Sequence, residues 1–171
     1  VAYDFDESDL SATHLAQANE LPIDSIYKTL VGRGDKNGVF VAVIPGAATL
    51  DLKAMAKASG NKKVALIAMK ELLPLTGYIR GGCSPLGMKK NYPIYLDSSI
   101  IEHEKVYISG GVRGTKILLS PTDLQKVTKN RNVIQNLLLI LNLSLTNPFS
   151  TVSNERASPN LCNNNANLAN P

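Results

Sequence analysis

Two runs rich in β-branched and aliphatic residues, SIYKTLV (25–31) and VFVAVIPG (39–46), stand either side of GRGDKNG (32–38). No other feature constrains the fold so tightly. Gly, Asp and Asn supply the turn, Pro45-Gly46 closes the second run, and the pair reads as a β-hairpin. Strand alternation then puts Ile26, Lys28 and Leu30 on one face and Tyr27, Thr29 and Val31 on the other. A lysine between two aliphatics has two readings. It either snorkels from an edge strand to water, or sits in a pocket with a perturbed pKa and acts by positioning and charge.

The remaining segments alternate without a strict βαβ rhythm. DLSATHLAQANELP (9–22) reads as a helix capped by Ser11, with Leu15, Ala16 and Asn19 on one side and Pro22 as its stop. TLDLKAMAKASG (49–60) is a second helix with Gly60 at its C-terminus. KKVALIAM (62–69) is a strand, and MKELLPL (69–75) a helical turn. NYPIYLDSSI (91–100), EKVYISGG (104–111) and TKILLS (115–120) are strands. SPTDLQKVTKN (120–130) is a helix with Ser120 as cap and Pro121 at its first position. The sum is an α+β domain in which helices pack on one strongly curved sheet.

Of the 171 residues, those from Leu137 onward carry only Glu155 and Arg156 as charges and end in the Asn-rich NLCNNNANLANP. We therefore expect a domain over 1–136 and an apolar segment followed by a disordered tail over 137–171. LLLILNLSL (137–145) is far too short to cross a membrane. The net charge of +4 suits an anionic partner without requiring one. Aromatics make up 5% and Trp is absent, which speaks against aromatic platforms for single-stranded nucleic acid. Cys83 and Cys162 stand far apart in unlike contexts. A disulfide framework or zinc site has little support, and the usage fits a reducing, cytoplasmic setting. The chain starts at Val1 without Met, so its biological start is expected to lie upstream.

The chemistry concentrates in TGYIRGGCSPLGMKK (76–90). Gly82 and Gly87 have phosphate-loop spacing, but Met88 stands where that loop needs Lys and Pro85 removes an amide. Cys83 would need a base to act as a nucleophile. The chain offers only His14 and His103, neither suitably spaced, so a small residue in a turn is the plainer reading. Too few histidines and cysteines exist for a metal centre, and nothing calls for a cofactor. What remains is backbone. Gly81 and Gly82, and the later loop Ser109-Gly110-Gly111-Val112-Arg113-Gly114, could offer N–H groups to a carbonyl or anion, with Arg80 and Arg113 beside them. The alternative is two tight turns in a curved sheet.

KTLV (28–31), AVIPG (42–46), LDLKAMAKASG (50–60), TGYIRGGCSPLGMKK (76–90), PIYLD (93–97) and ISGGVRGTKILLSPTDL (108–124) together resemble the YbaK/EbsC family. These are free-standing aminoacyl-tRNA deacylases related to the editing domain of bacterial prolyl-tRNA synthetases. The likeness runs in unbroken order from about residue 3 to 130. It implies an α+β fold around a mixed, barrel-like sheet, and trans-editing of Cys-tRNA(Pro) by attack of the substrate's own thiol on its ester. Lys28 then corresponds to the lysine most tied to activity, with Thr29 beside it in the same motif. Gly81, Gly82, Ser84 and Pro85 correspond to the loop shaping the aminoacyl pocket, and Ser109, Gly110, Gly111 and Arg113 to the second loop.

The implied partners are the acceptor 3′ end of aminoacyl-tRNA and prolyl-tRNA synthetase, with no membrane and no cofactor. Lys53, Lys57, Lys62, Lys63, Lys89 and Lys90 could meet phosphates, or form an ordinary solvated face. Relatives usually carry a further strand and helix before the position of Val1, and several place a polar acceptor where Lys116 stands. Lys116 is therefore assigned no catalytic role. A catalytically silent module that binds tRNA or the synthetase is the alternative function.

Overall fold

The computed structural model describes residues 1–2, 16, 19–129, 133–134 and 137. Most of the helix expected over 9–22, with Ser11, His14 and Leu15, lies outside the described residues, as do Cys162 and the tail after Leu137. Contacts gather Val1–Ile140 into one unit and Leu141–Pro171 into another, and every described residue belongs to the first.

The expected hairpin forms. β1 (Tyr27–Gly34) and β2 (Gly38–Pro45) pair antiparallel along their whole length. Gly32 sits in mid-strand because its cross-strand neighbour Phe40 lays a ring over it; a Cβ there would be 2.3 Å from the ring. Asp51 starts α1 (Leu52–Ala58) by accepting the N–H groups of Lys53 and Ala54. β3 (Val64–Leu66) returns antiparallel to β1, and α2 (Met69–Thr76) comes next. β4 (Ile94–Asp97) joins β2 in parallel. Asp97 then accepts the Ser99 N–H and turns the chain into a 3₁₀ turn, Ser98–Glu102, so the expected strand stops earlier than the sequence suggests. β5 (Val106–Ser109) and β6 (Lys116–Leu119) form a second hairpin. α3 (Pro121–Val127) is capped by Ser120 as expected, and β7 (Val133–Ile134) pairs with β4.

One expectation fails. Among the described residues the strands make two sheets, a five-stranded one ordered β3-β1-β2-β4-β7 and the two-stranded β5-β6, and they do not close into a barrel. β5 and β6 pair with each other and pack on Tyr27 of β1, and the β-bridge that links them to the large sheet joins Ile26, just before β1, to Tyr107.

The large sheet is buried on both faces. Tyr27, Val31, Val41, Val43 and Leu96 look toward β5, β6, α3 and the Cys83 segment. Phe40, Ala42, Ile44 and Tyr95 look toward α1, Leu50 and Leu137. Apolar area hidden in this way, at about 25 cal/mol per Å², is the main force holding the strands in register. Leu137 is tied in further by its N–H to Asp97 Oδ2 (3.2 Å) and by Asp51 N–H to its carbonyl (2.8 Å). Among the described residues no helix is long and apolar enough to cross a membrane.

Candidate active site: two glycine-bearing loops

The segment from Gly77 to Lys90 leaves the end of α2 in a turn that needs glycine, since Gly77 has φ of 85°. The last carbonyls of α2, which no helical N–H reaches, find donors in the returning chain. Lys89 N–H donates to Thr76 O (3.1 Å) and Tyr92 Oη–H to Leu75 O (3.0 Å). This return fixes both ends of the loop against one helix.

The two glycine loops meet. A Cβ on Gly82 would lie 3.3 Å from the Gly111 carbonyl oxygen and from Val112 Cα, and 3.4 Å from the Arg113 nitrogen. Gly82 is therefore glycine for close approach, whereas Gly81 takes a left-handed turn with φ of 84°. Arg113 Nε–H donates to the Arg80 carbonyl (3.1 Å), a second tie between the loops. Ser84 is buried and its Oγ accepts the Leu86 N–H (3.2 Å); Pro85 is buried beside it. Ser109 Oγ, at the end of β5, accepts the Gly111 N–H at 3.4 Å.

Some of the expected amide donors are already engaged. Gly82 N–H donates to Ile79 O (3.1 Å) and Gly110 N–H to Thr115 O (2.9 Å), each closing its own turn. The N–H groups of Gly81, Cys83 and Ser84 have no acceptor among the described residues.

Thr29 and Lys28 leave β1 on opposite faces. Thr29 lies on the side of Tyr27 and Val31, the side against which Cys83 packs, and its Oγ1 is buried with no partner among the described residues. Such a hydroxyl is uncommon and costs about 1–3 kcal/mol. Lys28 faces the other way, toward Ile44 and the α1 side. It is half-buried, has no hydrogen-bond or ion-pair partner among the described residues, and burial lowers its pKa. The register thus joins Thr29 to the loop side and leaves Lys28 across the strand from it.

Cys83 is buried and burial pushes its thiol up to about 11, the opposite of an activated nucleophile. His103 is engaged elsewhere, edge-on to Tyr27 with ring centroids 5.9 Å apart. Lys116 pairs with Ser109, and its buried ammonium is pushed down to about 8. Its backbone holds Val1 through two hydrogen bonds of 2.7 and 2.8 Å. The lysines named for phosphate contact, Lys53, Lys57, Lys62, Lys63, Lys89 and Lys90, are all exposed. Behind the first loop lies a cleft of about 340 Å³ between Pro85–Met88, Tyr92 and the end of α3.

Sequence reasoning overlooked Tyr78. It lies inside the quoted glycine stretch and contacts both loops, but an aromatic residue beside a glycine turn gives no signal of what it will touch.

Residues 7–127 match the family model described as "Aminoacyl-tRNA editing domain". The chain is 47% identical over 125 residues to the Enterococcus faecalis (strain ATCC 700802 / V583) protein named "Putative Cys-tRNA(Pro)/Cys-tRNA(Cys) deacylase EbsC", covering 73% of this chain and 76% of that one. It is 28% identical over 123 residues to the uncharacterized protein YwhH of Bacillus subtilis (strain 168), covering 72% and 78%. A crystal structure of "a putative trans-editing enzyme for prolyl tRNA synthetase" superposes with a TM-score of 0.69 at 27% identity, over 81% of this chain and 83% of that one.

Proposed function

This chain belongs to the aminoacyl-tRNA editing domain family, and from that premise we propose that it is a trans-editing deacylase removing Cys from mischarged Cys-tRNA(Pro). The observation that carries the reading is the meeting of the two glycine loops, with Gly81, Cys83 and Ser84 offering N–H groups that have no acceptor among the described residues. The name of the EbsC relative supports Cys-tRNA as the substrate.

The Cys83 thiol, buried and held protonated, is a poor attacking group, and His103 is packed on Tyr27 rather than beside it. The nucleophile is therefore assigned to the substrate. The thiol sulfur of the Cys moiety attacks its own ester carbonyl, and the bond to the terminal ribose oxygen breaks. The thiol proton passes to that oxygen, and a cyclic thiolactone leaves. The protein holds the ester in a reactive pose and meets the developing oxyanion with amides. One such donor is worth about 3 kcal/mol and good orientation several more. Lys28, half-buried and uncompensated, lies on the other face of β1 from the loops, so it is assigned to supply a positive charge for the adenosine end of the tRNA and not the oxyanion contact. Exposed lysines give loose phosphate contacts, and prolyl-tRNA synthetase is the candidate carrier. Binding through phosphates weakens steeply with salt, whereas recruitment by the synthetase does not.

The test is release of labelled Cys from Cys-tRNA(Pro) by the parent and by Lys28→Ala, with Ser-tRNA(Pro) as the substrate lacking a thiol. We expect release by the parent, at least a tenfold slower reaction for the variant, and no release of Ser. Release of Ser at a comparable rate would overturn the thiol-assisted step. A folded parent that binds tRNA and releases nothing would overturn the deacylase reading in favour of a silent binding module.

A further inference from the structure

Tyr78 reaches into both loops, at Leu86 and Gly87 in the first and at Gly111 in the second. Its backbone N–H donates to Thr76 Oγ1 (3.1 Å), and the Thr76 hydroxyl in turn donates to Leu72 O (2.7 Å), so the residue is anchored to α2. Its own hydroxyl spans the first loop and donates to the Leu86 carbonyl at 2.5 Å. The ring occupies the space that side chains in both loops would need. A Cβ on Gly111 would lie 3.0 Å from Tyr78 Cε1, and one on Gly87 3.1 Å from its hydroxyl oxygen. The ring also packs on the Val31, Val41 and Cys83 cluster, which anchors it to the sheet.

We propose that Tyr78 is a positioning residue for deacylation: its hydroxyl latches the first glycine loop and its ring sets the distance to the second. This rests on the deacylase reading for its consequence, but the coupling between the loops stands on geometry alone. The amides of Cys83 and Ser84 lie between the two points that Tyr78 fixes, its own backbone and Leu86. A short loop held at both ends has little freedom to rotate those N–H groups away from a carbonyl. Gly111 is glycine both because its φ is 99° and because the ring leaves no room for a side chain. The small residue and the aromatic one form a matched pair.

Two variants separate latch from prop. Tyr78→Phe keeps the ring and loses the bond to Leu86; Tyr78→Leu loses both. For Tyr78→Phe we expect kcat on Cys-tRNA(Pro) to fall about tenfold with KM unchanged and a thermal midpoint close to the parent's, since misplacement rather than binding is affected. Tyr78→Leu should lose about a hundredfold. Amide hydrogen exchange gives a readout independent of activity. Tyr78→Phe should raise exchange at Gly82 N–H, Tyr78→Leu at both Gly82 and Gly110 N–H, with the strand amides of Val41 and Val43 unchanged. A parent-like kcat in Tyr78→Phe, or a loss that merely tracks a lower folded fraction, would overturn the positioning role. Unchanged Gly110 exchange in Tyr78→Leu would overturn the coupling. If the parent itself does not act on Cys-tRNA(Pro), the deacylase reading falls, while the exchange experiment still decides the coupling.

Discussion

Two regions of this chain are written in the same turn-forming residues and end up doing opposite things. At the β1–β2 turn, Asp35 Oδ1 accepts the N–H groups of Lys62 and Lys63, and Asn61 Oδ1 accepts those of Lys36 and Asn37. Asn37 Nδ2–H donates to Ser59 O, so the turn and the end of α1 are knitted together through their own side chains. These bonds, the Lys63 N–H first, hold the Asp35 carboxyl below its ordinary pKa. In the loop pair the side chains are small, glycine meets glycine, and the N–H groups of Gly81, Cys83 and Ser84 keep no acceptor among the described residues. A loop whose amides are satisfied internally is structural. Amides held in place yet left open are what the proposed contact with an oxyanion requires.

The largest effect should come from Gly82→Val. Its side chain would press on the backbone of Gly111, Val112 and Arg113, which cannot swing aside as a side-chain tip can. We expect at least a hundredfold loss of deacylation with the protein still folded by circular dichroism. Gly34→Ala is the matching change at the other region. There the three atoms nearest the new carbon all belong to the Asn61 side chain, at 2.2–2.3 Å, so a side chain rather than backbone must shift. It should lower the thermal midpoint while activity per folded molecule holds. Equal activity losses in the two variants would break the comparison.

A smaller effect is expected for Asn61→Ala. It removes the bonds that Asn61 Oδ1 accepts from Lys36 and Asn37 N–H and the two that its Nδ2 donates to Ser59 O and Oγ, and should cost about 1–3 kcal/mol in urea unfolding with kcat unchanged.

The smallest is Cys83→Ala, for which turnover should stay near the parent's. Its folded pKa of about 11 exceeds the ordinary 9.0, so the thiol favours the fold while protonated. That contribution is intact below pH 9 and fades as the pH climbs toward 11. Cys83→Ala should flatten this part of the stability profile. A large loss of activity would instead show that the thiol has a part in the reaction.

Much of the fold was legible because it rests on local physics. The β1–β2 hairpin comes from two β-rich runs and a Gly-Asp-Asn turn, and α3 from Ser120 and Pro121 at its start. The likeness to a known family named both loops. The division into two sheets was not legible, because which strand edges meet is decided by the packing of distant segments. Nor was the side of β1 on which the loops settle. Alternation separates Thr29 from Lys28 in the sequence, but only the packing of Cys83 on Val31 and Val41 tells which of the two shares the loop side.

By itself, then, the sequence determined most of the elements and the glycines of the two loops, since these depend on residues within a turn or two of one another. The tertiary structure decided which amides stay open, that Gly82 meets Gly111 across 28 intervening residues, and that the Tyr78 ring packs against Gly111. Those are contacts between distant segments, and their geometry comes from the whole packed core rather than from any local propensity.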